Sequence, residues 1–252
     1  MAGHSKWANI KHRKGAQDKK RAKIFTRIIK ELTVAARDAG PDPDANPALR
    51  LAIQNAKGAN MPKDTMERAI KKGAGGEGAN LEPVTYEGYG PNGIAFFVEG
   101  MTDNLNRTVA NVRSVFNKTG GSLGTNGSLS FIFTQKGVFT LAKSSFEGKD
   151  LDEVELELIE GGAEEIEKGE ETWIVTTSFE DFGNLQKKLE ELNIDAQSSE
   201  VQRIANSTTA LDIDSARQVL NAIEKFEDID DVNTVYHNLE LTDELLEALE
   251  SE

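Results

Sequence analysis

Apolar residues return at helical spacing early in the chain and at strand spacing later. From about Ala16 to Ala39, Ile24, Phe25, Ile28, Leu32 and Ala35 fall on one arc of a helix turning about 100° per residue, while Lys19, Lys20, Lys23, Arg27 and Lys30 fall on another. One face can pack and the other can meet phosphate. Gly40-Pro41 ends this helix. A second is expected from about Pro47 to Lys57, burying Leu49, Ile53 and Ala56. A third follows Asn60, a residue suited to capping, with Pro62 in the first turn and Gly73 at the end. Its Asp64–Arg68 and Glu67–Lys71 pairs put the acid first, the favoured order at i,i+4. A helix-turn-helix also fits this pattern, but so does any small bundle.

The Gly-rich stretch Gly73–Asn80 reads as a linker. Beyond it the pattern predicts a strand over Ile94–Glu99 and a helix over Asp103–Lys118 with Leu105, Val109, Val112 and Phe116 as its stripe. Gly120 is its expected C-terminal cap. A strand is expected over Ser128–Phe133, with Leu129, Phe131 and Phe133 on one face. From Gly137 the order is strand Val138–Leu141, helix Leu151–Ile159, strands near Ala163–Ile166 and Thr172–Thr176, helix Asp181–Leu192 capped by Ser178, and a strand near Ser199–Ile204. That is β-α-β-β-α-β, the ferredoxin-like arrangement. Helix Asp214–Phe226 and strand Val232–Leu239 then complete the unit begun at Ile94, and Thr242–Glu252 reads as a short acidic amphipathic helix. The expected fold is α+β: an N-terminal three-helix domain, residues 1–80, followed by two ferredoxin-like α+β domains. The third, 136–205, is inserted into the second, 81–135 with 206–252.

Charge changes the picture more than composition does. The chain carries a formal charge of -14, yet Met1 to Lys72 holds 17 Lys and Arg against 7 Asp and Glu, and the remainder holds 12 against 36. A division this uneven implies two jobs on two surfaces, with a polyanion as partner of the basic end. Lys6, Lys11, Arg13 and Lys14 stand among Gly3, His4, Trp7, Asn9 and Gly15, a mixture that suits a flexible arm better than a helix interior. The candidate nucleic-acid contacts are His4, Lys6, Trp7, Lys11, Arg13, Lys14, Lys19, Lys20, Lys23 and Arg27. Trp7 has two readings: it stacks on an exposed base, or it staples the arm to the bundle.

Other chemistries find little support. The chain has no Cys, which fits a reducing cytosol, and no apolar run of membrane-spanning length. The basic N-terminus could be a mitochondrial presequence, but Lys outnumbers Arg there and Ser5 is its one early serine, so a bacterial cytoplasmic protein is the better reading. Gly120-Gly121-Ser122-Leu123-Gly124 matches the nucleophile-elbow pattern, but with a helix before it and a strand after, the reverse of what an elbow needs. No Gly-Lys-Ser/Thr follows a Gly-rich turn, and His4, His12 and His237 lack metal-ligand spacing. Glu164-Glu165 and Glu170-Glu171 read as solvated surface, and Trp173 as core. Arg107 and Arg113 are cations in the acid-rich part, read as ion-pair partners in preference to a second nucleic-acid contact. No catalytic residue, metal, cofactor, membrane or small-molecule substrate is expected.

The segments AGHSKWANIKHRK (Ala2–Lys14), MPKDTMERAIKKG (Met61–Gly73), YEGYGPNGIA (Tyr86–Ala95) and GGSLGTNGSLSF (Gly120–Phe131) resemble the YebC family, also called the PmpR family, which includes a mitochondrial translational activator. The resemblance covers nearly the whole chain and implies the same three-domain layout. It also implies either a ribosome-binding translation factor that helps through difficult stretches such as consecutive prolines, or a DNA-binding transcriptional regulator. An interaction scaffold is a third reading of the charge division. Gly, Trp, Asn and His among the cations suit irregular RNA, and no heptad or similar element provides the dimer a duplex reader would use.

Overall fold

The computed structural model describes residues 17–76 and 80–250. They form two compact units, Asp18–Gly78 with Gln135–Gln202, and Ala79–Thr134 with Arg203–Glu252.

The first unit opens with three helices, α1 (Gln17–Ala39), α2 (Pro47–Gly58) and α3 (Lys63–Ala74). Their shared core holds Ile28, Leu32, Ala36, Leu49, Ala56 and Ala69, close to the expected apolar stripes. Asn46 locks α1 to α2. Its Oδ1 accepts from Leu49 N–H at 3.0 Å as the N-cap, and its Nδ2 donates to the carbonyls of Ala35 and Gly40, both at 2.8 Å. Gly73 lets α3 approach α1, because a Cβ there would stand 2.2 Å from the Thr33 carbonyl oxygen. Asn60 does not cap α3. It sits at φ 55° in the turn after α2, a conformation Asn tolerates, and Pro62 takes the N-cap position without a side-chain bond.

The same unit contains β4 (Phe133–Ala142), α5 (Leu151–Glu160), β5 (Ala163–Lys168), β6 (Thr172–Ser178), α6 (Phe182–Glu191) and β7 (Ala196–Ala205), in the sheet order β5-β6-β4-β7. This is the ferredoxin-like order, inserted between the halves of the other unit. Leu141, Val154, Leu158, Trp173, Val175, Leu185 and Leu189 are buried together, and the Trp173 and Phe146 rings lie 4.6 Å apart. Asp181, not Ser178, stands at the N-cap position of α6; Ser178 Oγ accepts from Asp181 N–H at 3.0 Å. An edge strand normally leaves backbone groups unpaired. On β7 the α2 residue Asn55 acts as a partner strand would: its Nδ2 donates to Ser199 O at 3.0 Å and its Oδ1 accepts from Ser199 N–H at 2.9 Å.

The second unit is built from β1 (Glu82–Tyr89), β2 (Ala95–Thr102), α4 (Leu105–Lys118), β3 (Ser122–Leu123), α7 (Ile213–Glu227), β8 (Val232–His237) and α8 (Asp243–Glu250). The sheet order is β3-β1-β2-β8, with β1 antiparallel to β2 and β3, and β2 antiparallel to β8. Spatially this again is the ferredoxin-like sheet, with its third strand coming first in the chain. One face packs Phe96, Val98, Val112, Phe116, Ile223 and Phe226 between sheet and helices. The opposite face carries Ala95, Phe97 and Tyr236, covered by Leu129 and Phe133.

Residues 128–132 are turns, not the expected strand. Their conformation follows from Glu87, a buried carboxylate on β1 that accepts from Gly127 N–H at 2.7 Å and Leu129 N–H at 2.6 Å. Those donors go to a side chain instead of a ladder. Leu129 and Phe133 are buried, but Phe131 is 71% exposed, so the three do not share a face. The edge position falls to β3, entered through a Schellman turn: Gly120 has φ 80°, and Gly121 N–H donates to Phe116 O at 2.8 Å.

Candidate nucleic-acid interface

Six of the candidate contacts, His4, Lys6, Trp7, Lys11, Arg13 and Lys14, lie outside the described residues. Lys19 and Lys20 belong to the first turns of α1. Lys23 and Lys30 are half-buried rather than fully exposed. Arg27 is engaged within its own unit: it pairs with Glu31 at 3.6 Å and with Glu200 on β7. The helical periodicity groups Arg27 with the outward cations correctly, but it carries no information about which strand packs beside them. Glu31 has its carboxyl pushed above the ordinary value by burial, against the pull of Arg27, with Glu200 pushing the same way as burial.

Other cations of the same bundle are exposed to solvent. Arg21 is exposed, with its guanidinium 5.2 Å from the Phe25 ring centre and one N–H directed to Asn60 O at 3.5 Å. Arg50 and Lys57 are exposed on α2, and Lys63, Arg68, Lys71 and Lys72 on α3. The α3 cations outnumber Asp64 and Glu67, and Lys71 and Lys72 stand in its last turn, where cations are favoured by the helix dipole. They extend the basic character of the N-terminus along α3. The sequence signal for them was the excess of Lys over acid in Met61–Gly73, which the pairing of Asp64–Arg68 and Glu67–Lys71 masks. In the structure Arg68 Nε donates to the Asp64 carbonyl at 3.0 Å, and Glu67 pairs with Lys63 at 3.6 Å.

The cleft between α2 and the α6–β7 side of this unit, about 770 Å³, carries both signs, with Arg50 and Lys57 facing Asp44, Glu190 and Asp195. It offers no single-sign field to an anion. In the second unit Arg107 is a structural cation. It grips Asp231 with Nη2–Oδ1 at 2.8 Å and Nε–Oδ2 at 3.1 Å, and pairs with Asp103 at 2.7 Å. Hydrogen bonds to Asp231 and then Asp103 raise its pKa further. Thr108 Oγ1 adds a bond to Asp231 at 2.7 Å. Arg113 is exposed on α4. Ser122 is exposed in β3, opposite Tyr89, on a strand that follows a helix. Among the described residues no helix is long and apolar enough to cross a membrane.

Comparison with known proteins places this architecture. Residues 5–76 match the family model described as the TACO1/YebC protein N-terminal domain, and residues 81–239 match the model for the TACO1/YebC second and third domain. A probable transcriptional regulatory protein of Amoebophilus asiaticus is 51% identical over 241 residues, 95% of this chain and 98% of that protein. A protein of the same description from Nitrosococcus oceani is 49% identical over 251 residues, 99% of this chain and 100% of its own. The crystal structure of a conserved hypothetical protein from Aquifex aeolicus matches with a TM-score of 0.79 and 41% identity, covering 91% of this chain and 94% of that one. The mixed α+β fold is therefore shared with that protein, and this chain belongs to the TACO1/YebC family.

Proposed function

We propose that the protein is a non-enzymatic, nucleic-acid-binding regulator of gene expression, working in the cytoplasm, whose basic end enters a ribosomal RNA site. The observation that carries this reading is the division of charge, 17 Lys and Arg against 7 acids up to Lys72 and 12 against 36 beyond it. Nucleic acid gains counterion release at the first and meets repulsion at the second, so contact is oriented as well as strengthened. The exposed cations of α3 support the same end as the contact surface. Glycine, tryptophan, asparagine and histidine interleaved with the arm's cations favour irregular RNA over a regular duplex. In the translational reading the acid-rich part beyond Lys72 stays outside the site or touches protein, and the factor relieves stalling at sequences such as polyproline.

A DNA-binding transcriptional regulator is the second reading, favoured by the name shared by the relatives from Amoebophilus asiaticus and Nitrosococcus oceani. Sucrose-gradient fractionation of a lysate separates the two. Wild type is expected in the ribosomal fractions at physiological salt. A protein that stays at the top of the gradient yet binds a defined promoter duplex tightly at the same salt would establish the transcriptional reading instead.

A further inference from the structure

The second unit presents one aromatic ring to solvent in a setting that suits a base. Phe131 is 71% exposed, the most exposed large apolar residue described. A ring on a floppy loop would be unremarkable, but this loop is fixed from two sides. Buried Glu87 holds the N–H groups of Gly127 and Leu129, and its own carbonyl accepts from Gly124 N–H at 2.7 Å. Asn206 holds the other flank: its Nδ2 donates to Phe131 O at 3.0 Å and its N–H to Ile132 O at 2.8 Å. Thr134 Oγ1 donates to Asn206 Oδ1 at 2.7 Å and fixes that amide in turn. Burying a carboxylate to organise a surface loop is costly, and the result is a loop backbone already set beneath the ring, which lowers the ordering cost on binding.

The surroundings argue for nucleic acid. Residues 104–146 contain no Asp or Glu and five Lys or Arg, in a remainder of the chain where acids outnumber cations 36 to 12. The exposed neighbours of Phe131 in the loop, Thr125, Asn126 and Ser130, are uncharged hydrogen-bonding residues, as are Asn206 and Ser207 just after β7. Glu87, the carboxylate that holds the loop, is buried, and Glu99 on the same sheet face is paired with Arg203 at 2.7 Å. The acid-rich part beyond Lys72 as a whole repels a polyanion, and this acid-free stretch within it does not. Tyr89, 41% exposed, lies opposite Ala95 in the β1–β2 register and so stands on the sheet face that this loop covers. An aromatic ring flanked by amides and hydroxyls is the chemistry that stacks an unpaired base and satisfies its edges.

We propose that Phe131 and its loop form a second nucleic-acid contact, separate from the basic arm, that stacks one base of a single strand. The inference rests on the nucleic-acid reading above. The test uses the full chain with fluorescein-labelled single strands, oligo(U), oligo(dT) and a strand of the same length with abasic sites, in anisotropy titrations over a range of salt. Phe131→Ala is expected to weaken binding to oligo(U) about 5- to 150-fold, the worth of one stacked base, without changing the salt slope. Phe131→Trp should restore affinity and Phe131→Leu should not, because a greasy contact tolerates leucine and a stack does not. The abasic strand should bind wild type and Phe131→Ala alike. A loss confined to oligo(U) supports the stack and assigns RNA, and an equal loss on oligo(dT) supports a stack blind to the sugar. Phe131→Ala binding every strand like wild type, while Gln substitutions in the arm still weaken binding, overturns this proposal alone. Rescue by leucine also overturns it, in favour of an apolar protein contact. Wild type binding none of the strands overturns this proposal, and the nucleic-acid reading falls with it where the gradient and promoter-duplex assays also show no binding.

Discussion

At the scale of single residues, Glu31 joins the chemistry of α1 to that of its neighbour β7. Its carboxyl is drawn up from the ordinary 4.5 by burial first, and by Glu200, with Arg27 opposing. A carboxyl raised on folding binds more protons in the folded state than in the unfolded one. Its contribution is most favourable below the unfolded pKa and is lost as pH rises through the folded pKa. Glu31→Gln should therefore leave stability near pH 4 little changed and raise the urea midpoint at neutral pH, with Arg27 retaining Glu200 as partner. A difference between variant and wild type that stays constant from about pH 4 to pH 8 would refute this account. Nothing in the sequence marks Glu31 as special, since Glu200 and Arg27 are brought together only by the docking of α1 beside β7. Asn46 is similar. Its place before Pro47 suits a cap, but its bonds to Ala35 and Gly40 depend on the path of the returning chain.

At the scale of elements, what was legible is what local periodicity controls. The helical stripes of α1, α2, α4 and α7 and the alternation in β6 carry their own signal, and Gly120 marks its turn because the left-handed φ there needs glycine. Two failures share one cause. β1 reads EPVTYEGY, with a proline, a glycine and two acids, so it lacks a strand's apolar alternation. Its inward Glu87 then takes the backbone donors of the loop at 127–129, so the alternating Leu129, Phe131 and Phe133 form turns. Missing the first made the second unreadable. Glu87→Gln tests the link. The amide keeps one acceptor but turns an N–H₂ toward a backbone donor, and should cost about 1–3 kcal/mol. Amide exchange at Gly127 or Leu129 should speed up well beyond the change in global stability. Exchange that rises uniformly across the second unit would mean the carboxylate stabilises the sheet rather than the loop.

At the scale of the whole molecule, the arrangement of charge is the feature most plainly written in the sequence and least dependent on packing. Packing nevertheless decides which cations can take part. Arg27 is committed to Glu31 and Glu200, whereas Lys71 and Lys72 are exposed on α3. Their contributions to binding should separate in the salt dependence. Each phosphate neutralised adds about -0.9 to the log–log slope on duplex and about -0.7 on single strands. Replacing Lys11, Arg13, Lys14 and Lys20 with Gln should flatten the slope on a single strand by up to about 2.8 if each makes one contact, with the melting temperature nearly unchanged. Arg68, Lys71 and Lys72 to Gln should flatten it further if α3 lies in the same footprint. Arg27→Gln should do the opposite on both axes, lowering stability through the lost ion pairs with Glu31 and Glu200 and leaving the slope alone. Trp7→Ala should weaken binding at constant slope if the indole stacks on a base, since stacking releases no ions. Should Arg27→Gln flatten the slope as much as an arm lysine does, the ion pair with Glu200 must open on binding, and β7 would have to give up its hold on α1 when nucleic acid arrives.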